Sequence, residues 1–206
     1  MARTSNRSRF ARYKQYAQGV IYHIYNRGNG KKDIFLEDAD YKFYLNRLGT
    51  YVKKHNVSLL CYVLMPNHIH LVVKQETPIP IHKFISSLHT SYGMYFNKKY
   101  NQSGHLFTDR FKQVIVETDE QFIHLTRYIH QNPLHAGLTK SLDAYFWSSY
   151  HEFLHNVPQP LCNKELIAGL LTNKPELFSS TYEKFCNEAL EEKDAELLDQ
   201  IALETF

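Results

Sequence analysis

The run Val57-Ser-Leu-Leu-Cys-Tyr-Val-Leu-Met65, then Pro66-Asn67, then His68-Ile-His-Leu-Val-Val-Lys74 decides how this chain folds. Two apolar, β-type segments, 57–65 and 68–74, are separated only by a proline and an asparagine. That spacing implies two strands joined by a hairpin or a tight bend. Side chains alternate faces along a strand. His68 and His70 therefore point one way, and Ile69, Leu71 and Val73 point the other way into an apolar layer.

The flanking segments read outward from this pair. Residues 19–26, rich in β-branched and aromatic types, form a strand that the Arg27-Gly28-Asn29-Gly30 turn ends. Tyr41, Tyr44, Leu45, Leu48 and Val52 recur at helical spacing over 37–55, and Ile81, Phe84, Ile85, Leu88 and Tyr92 do so over 80–97. Residues 97–104 are a polar loop, and 105–117 a bent strand or short strand pair. Thr118 and Gln121 then form a capping box, with Asp119 and Glu120 in the first turn, where the helix dipole favours acids. Phe122, Leu125 and Ile129 give this helix its buried stripe, and Pro133 is expected to interrupt it. Residues 142–156, with Trp147, read as a packing anchor, and the chain is helical from 163 onward.

The order is β-α-β-β-α-β-α followed by helix. It predicts an α+β, ferredoxin-like antiparallel sheet with helices on one face and a helical C-terminal extension. Three parts are expected: a basic arm over 1–18, a central domain over 19–153, and a helical, acidic extension over 154–206.

Composition narrows the function classes. The chain has 206 residues, 43% hydrophobic and 22% charged, which suits a soluble globular protein. No apolar run reaches the ~18 residues of a membrane span, and nothing resembles a secretory signal. Three scattered cysteines make no disulfide framework and fit a reducing, cytoplasmic setting. The net charge of +3 hides an asymmetry. Residues 1–182 hold 22 basic against 13 acidic side chains, a balance of +9, and residues 183–206 hold 2 against 8, a balance of −6. A basic body suits a polyanion, because Lys and Arg release counterions from phosphates. Charge alone leaves a merely solvated surface equally open.

Three constellations carry potential chemistry. His68 and His70, side by side on one strand face, are placed to hold a divalent metal, although a bare His-x-His is also met by chance. His124, Tyr128 and Asn132 form a stripe at i, i+4 and i+8 beside the buried stripe. A tyrosine at the core margin can attack phosphorus if nearby positive charge stabilises its phenolate. It can equally be an interfacial ring with a wet hydroxyl. Asn132 is either a ligand or the cap of a following helix. Gly104–Lys112 offers cations for phosphates and rings for bases, or simply a hairpin with a solvated edge.

Together these segments resemble a known family. Met65-Pro-Asn-His-Ile-His-Leu-Val-Val73 resembles the histidine–hydrophobic–histidine motif of the IS200-like single-tyrosine (HUH) transposases. Tyr128-Ile-His-Gln-Asn-Pro-Leu-His-Ala-Gly137 resembles the tyrosine helix of their REP-associated branch. The resemblance runs over about residues 19–153 and includes Asn26-Arg27-Gly28, Gly104–Lys112 and Trp147-Ser-Ser-Tyr150.

It implies that His68, His70 and Asn132 hold Mg²⁺ or Mn²⁺. It further implies that Tyr128 attacks single-stranded DNA near hairpins, leaving a 5′-phosphotyrosine and a free 3′-OH. Simple family members use glutamine where this chain has Asn132. The mixed N and O ligand set also tolerates Zn²⁺ or Ni²⁺. DNA contacts are expected from Arg3, Arg7, Arg9, Arg12, Lys14, Arg27, His105, Arg110 and Lys112. The expected partner is hairpin-bearing single-stranded DNA, met by a monomer or homodimer associated with the nucleoid. The alternative is a domesticated hairpin-binding protein that has lost catalysis.

Overall fold

The computed structural model describes residues 18–188. The arm residues Arg3, Arg7, Arg9, Arg12 and Lys14, and the acidic end from 189, lie outside the described residues. Four strands, β1 (Ile21–Arg27), β2 (Val57–Met65), β3 (His68–Gln75) and β4 (Lys112–Val116), form one sheet in the order β2-β3-β1-β4. Every neighbouring pair is antiparallel. The β2–β3 turn is the Pro66-Asn67 link, and Met65 pairs with His68 across it.

Helices α1 (Asp38–His55) and α2 (His82–Lys99) cover the face that carries Tyr22, Ile24, Ile69, Leu71 and Val73, all fully buried. A buried carboxylate joins the two helices. Asp40 belongs to the capping box of α1 and accepts hydrogen bonds from Lys99, Tyr95 and Tyr100 at the end of α2. Burial pushes the Asp40 carboxyl up, but these donors and the Leu36 and Glu37 amides more than offset it, so its pKa lies below the usual value.

Helix α3 (Asp119–His135) begins at the expected Thr118–Gln121 capping box. The expectation of helices on one face holds for α1 and α2. Helix α3 lies against the opposite face, where His130 meets Cys61 of β2 and Tyr128 meets His70 of β3. The reason is its stripe of Phe122, Leu125 and Ile129, fully buried, which gives the histidine side of the sheet its own apolar cover. Pro133 does not interrupt α3. It sits in the last turn, and the helix stops at Gly137, whose φ of 68° is the left-handed geometry of a C-terminal cap. Asn132 therefore caps no following helix.

Beyond α3, the segment 147–149 pairs with the outer edge of β2: Leu64 donates to the Trp147 carbonyl and Ser149 to that of Tyr62. This covers an otherwise open sheet edge. Trp147 stacks on Tyr41 at 4.5 Å, as a packing anchor should. Helices α4 (Tyr150–Leu154), α5 (Glu165–Leu171) and α6 (Phe178–Asn187) follow. Helix α6 docks on α3: Tyr182 hydrogen-bonds His130 at 2.8 Å, and Gln131 donates to the Cys186 carbonyl. Among the described residues, no helix is long and apolar enough to cross a membrane.

Candidate nucleic-acid and metal site

Strand alternation places His68 and His70 on the same face of β3, as expected, with ring centroids 5.1 Å apart. Both are nearly buried, at 6% and 2% exposure. The His68 ring is set by its neighbour in the turn: Asn67 Oδ1 lies 2.6 Å from His68 Nδ1. An amide oxygen only accepts, so Nδ1 carries the proton and the lone pair of the neutral ring lies on Nε2. His70 Nδ1 is engaged by His23 Nε2 at 2.9 Å, and His70 Nε2 is buried with no hydrogen-bond partner.

Burial, with the charge of Arg27 nearby, lowers His68 to about 4. Burial, with His23 and His68 alongside, holds His70 well below its ordinary value. Both rings are thus neutral at physiological pH, the form that ligates a metal. The buried, unpaired His70 Nε2 is an atom that a divalent cation would satisfy. The pair therefore fits a divalent metal.

Tyr128 comes from the opposing helix. Its ring meets that of His70 edge-on at 6.2 Å. Burial raises the phenol pKa, and a hydrogen bond from the Asn132 side chain offsets part of that rise. Asn132, one turn on, donates its amide to the Tyr128 carbonyl at 2.8 Å, which leaves its side-chain oxygen as the ligand-type end. His124 of the same stripe turns elsewhere, to Arg127 at 3.0 Å and to Phe185 of α6.

A pocket opens over the histidine pair, rimmed by Arg27, Arg110 and Lys112. Gly28 organises that rim. Its amide donates to Asn67, its carbonyl accepts from Thr108, and Thr108 donates to the Arg27 carbonyl. The 104–112 loop is thereby held beside the end of β1. Its rings are not available for bases: Phe107 is buried and stacks on His89 of α2 at 4.3 Å, and Phe111 meets the same imidazole edge-on. His105 is exposed in the adjoining groove between the loop and α2.

Sequence reasoning missed three supporting residues: His23, Asn67 and Tyr25. The Tyr25 ring lies 6.0 Å from that of His70, and the Lys112 ammonium sits 5.9 Å from its centroid. The available clue was His23-Ile-Tyr25, the same one-face spacing as His68-Ile-His70.

The fold matches that of a solved REP-associated tyrosine transposase, with a TM-score of 0.55 over 73% of this chain and 89% of the other. At 16% identity that likeness concerns fold alone, and that protein was solved bound to a REP hairpin. A structure from Deinococcus radiodurans, provisionally described as a transposase, is 14% identical. It covers 64% of this chain and 97% of its own, at a TM-score of 0.42. No curated protein sequence matches at a significant level. The family described as "Transposase IS200 like" matches residues 16–132, more than half of the chain. The fold is thus that of a tyrosine transposase. The chain belongs to the IS200-like transposase family.

Proposed function

We propose that this protein cuts and rejoins single-stranded DNA at hairpin-associated ends or repeats, with Tyr128 as the nucleophile. The observation that carries the reading is the meeting of Tyr128 and His70 across the α3–sheet interface, with His70 also lining a pocket rimmed by Arg27, Arg110 and Lys112. The phenol oxygen of Tyr128 attacks a backbone phosphorus. The new bond is Tyr128 O–P, the broken bond is P–O3′, and the departing 3′ oxygen ends as a hydroxyl carrying the proton the phenol lost. The phosphodiester energy is kept in the 5′-phosphotyrosine, so a free 3′-OH can reverse the step on another end without ATP.

His68, His70 and Asn132 would hold the divalent metal, Mg²⁺ or Mn²⁺. Bound there, it would polarise the phosphoryl oxygen and stabilise charge on the attacking phenolate. Arg27, Arg110 and Lys112 hold the strand by its phosphates. The raised phenol pKa of Tyr128 makes this concentration of positive charge necessary. Recognition of a hairpin by this chain is part of the same reading, supported by the fold shared with a hairpin-bound transposase.

The test is incubation of a labelled single strand carrying a hairpin with the protein and Mn²⁺, followed by a denaturing gel. The expected products are a downstream fragment linked to the protein through its 5′ phosphate and an upstream fragment that ends in a free 3′-OH. Hairpin retention with no cut strand would instead support the non-catalytic binder.

A further inference from the structure

We propose that Asp143, His151 and His155 form a second metal site, on the C-terminal side of the fold, that takes Zn²⁺. One carboxylate oxygen, Asp143 Oδ1, lies 3.1 Å from His151 Nδ1 and 3.1 Å from His155 Nε2. All three donor atoms fall within 4.8 Å of one another. His151 lies in α4 and His155 is the extended residue that ends it, four positions on, with their ring centroids 4.3 Å apart. The convergence is therefore built by a helix and an adjoining loop rather than by one flexible segment.

The donor chemistry selects the ion. Two imidazole nitrogens and one anionic carboxylate oxygen make a three-ligand set of the kind that holds Zn²⁺, the carboxylate setting it apart from the neutral His68, His70 and Asn132 set. The three side chains are 49%, 38% and 47% exposed, so a cation has open access and water can complete the tetrahedron.

The site also has structural consequences. Asp143 precedes the 147–149 segment that covers the edge of β2, and α4 packs among the helices that buttress α3. An ion bridging Asp143 to α4 would clamp this cover. The site shares no residue with the histidine pair of β3, so it stands or falls independently of the proposed DNA chemistry.

The experiment is zinc titration of the tag-free full chain by calorimetry, paired with Co²⁺ absorption spectra. One equivalent of Zn²⁺ is expected to persist in the H68A/H70A double variant, with tetrahedral-type Co²⁺ bands. His151→Ala and Asp143→Asn should each reduce zinc binding by one equivalent or weaken it at least tenfold, with unchanged circular dichroism. His155→Ala supplies the same comparison should either variant fold poorly. Unaltered zinc stoichiometry and affinity across these surface variants would overturn the proposal, as would absence of tetrahedral Co²⁺ bands in H68A/H70A.

Discussion

His23 and His70 face one another across the paired strands β1 and β3, with His23 Nε2 2.9 Å from His70 Nδ1 and both rings buried. For His70 to offer Nε2 to a metal, its Nδ1 must carry the proton and donate it to His23 Nε2. His23 thus fixes both tautomer and ring orientation, as outer partners of metal-bound histidines commonly do. His23→Ala should weaken Mn²⁺ binding by ~10- to 100-fold, with cleavage recovering at high Mn²⁺. His23→Gln, which keeps an acceptor in place, should restore much of the affinity. Equal Mn²⁺ affinity in wild type and His23→Ala, read by equilibrium titration, would remove His23 from this role.

The Gly28 turn sets the basic rim. A Cβ on Gly28 would collide with the Lys32 carbonyl oxygen and press on Ile34 at 2.9 Å. Backbone cannot give way as a flexible side chain can. Gly28→Ala should destabilise the fold by about 1–3 kcal/mol, as overpacking does, and should weaken DNA binding through displacement of Arg27. Urea melts and a binding isotherm check the two effects separately.

Arg110 and Lys112 are exposed on the rim of the pocket. As phosphate contacts, each should contribute about 0.7 to the slope of log affinity against log salt on single strands. The double alanine variant should therefore bind more weakly at low salt, with a slope shallower by about 1.4. An unchanged slope would place these cations outside the DNA path.

Histidines shielded from water make stability sensitive to acid, His89 and His130 among them. Burial lowers both His89 and His130 to about 3. In the unfolded chain they titrate near 6.5. Between those values the unfolded state binds more protons than the folded one, so stability falls as pH drops from about 6.5 towards 3. From pH 7 to pH 5 the loss should be roughly 2 kcal/mol for each histidine. Denaturant melts at the two pH values test this, and His89→Phe should remove about 2 kcal/mol of the difference.

Much of this architecture was readable because it depends on local periodicity. The alternation of 68–74 placed His68 and His70 together, and the Thr118–Gln121 box located the start of α3. What escaped depends on pairing between distant segments. His23 meets His70 only because β1 pairs with β3 in the register Tyr25↔His70, which no local spacing reveals among twelve histidines. Phe107 was read as available to bases, and only the packing of α2 brings His89 onto it. Pro133 misled because a proline in the last turn disturbs few of the remaining helical hydrogen bonds; Gly137 is the true stop. The placement of α3 opposite α1 and α2 likewise follows from which sheet face still lacked cover.

The central claim is that Tyr128 becomes covalently linked to DNA. Trypsin cutting after Arg127 and Lys140 releases Tyr128–Lys140, a peptide with a single tyrosine. The most direct measurement is mass spectrometry of that peptide after reaction with a single-stranded hairpin substrate and Mn²⁺. The account predicts a nucleotide-phosphate adduct on Tyr128–Lys140 in the wild type and no adduct in Tyr128→Phe, which should still bind the hairpin. An adduct on another peptide, or one that persists in Tyr128→Phe, would contradict it.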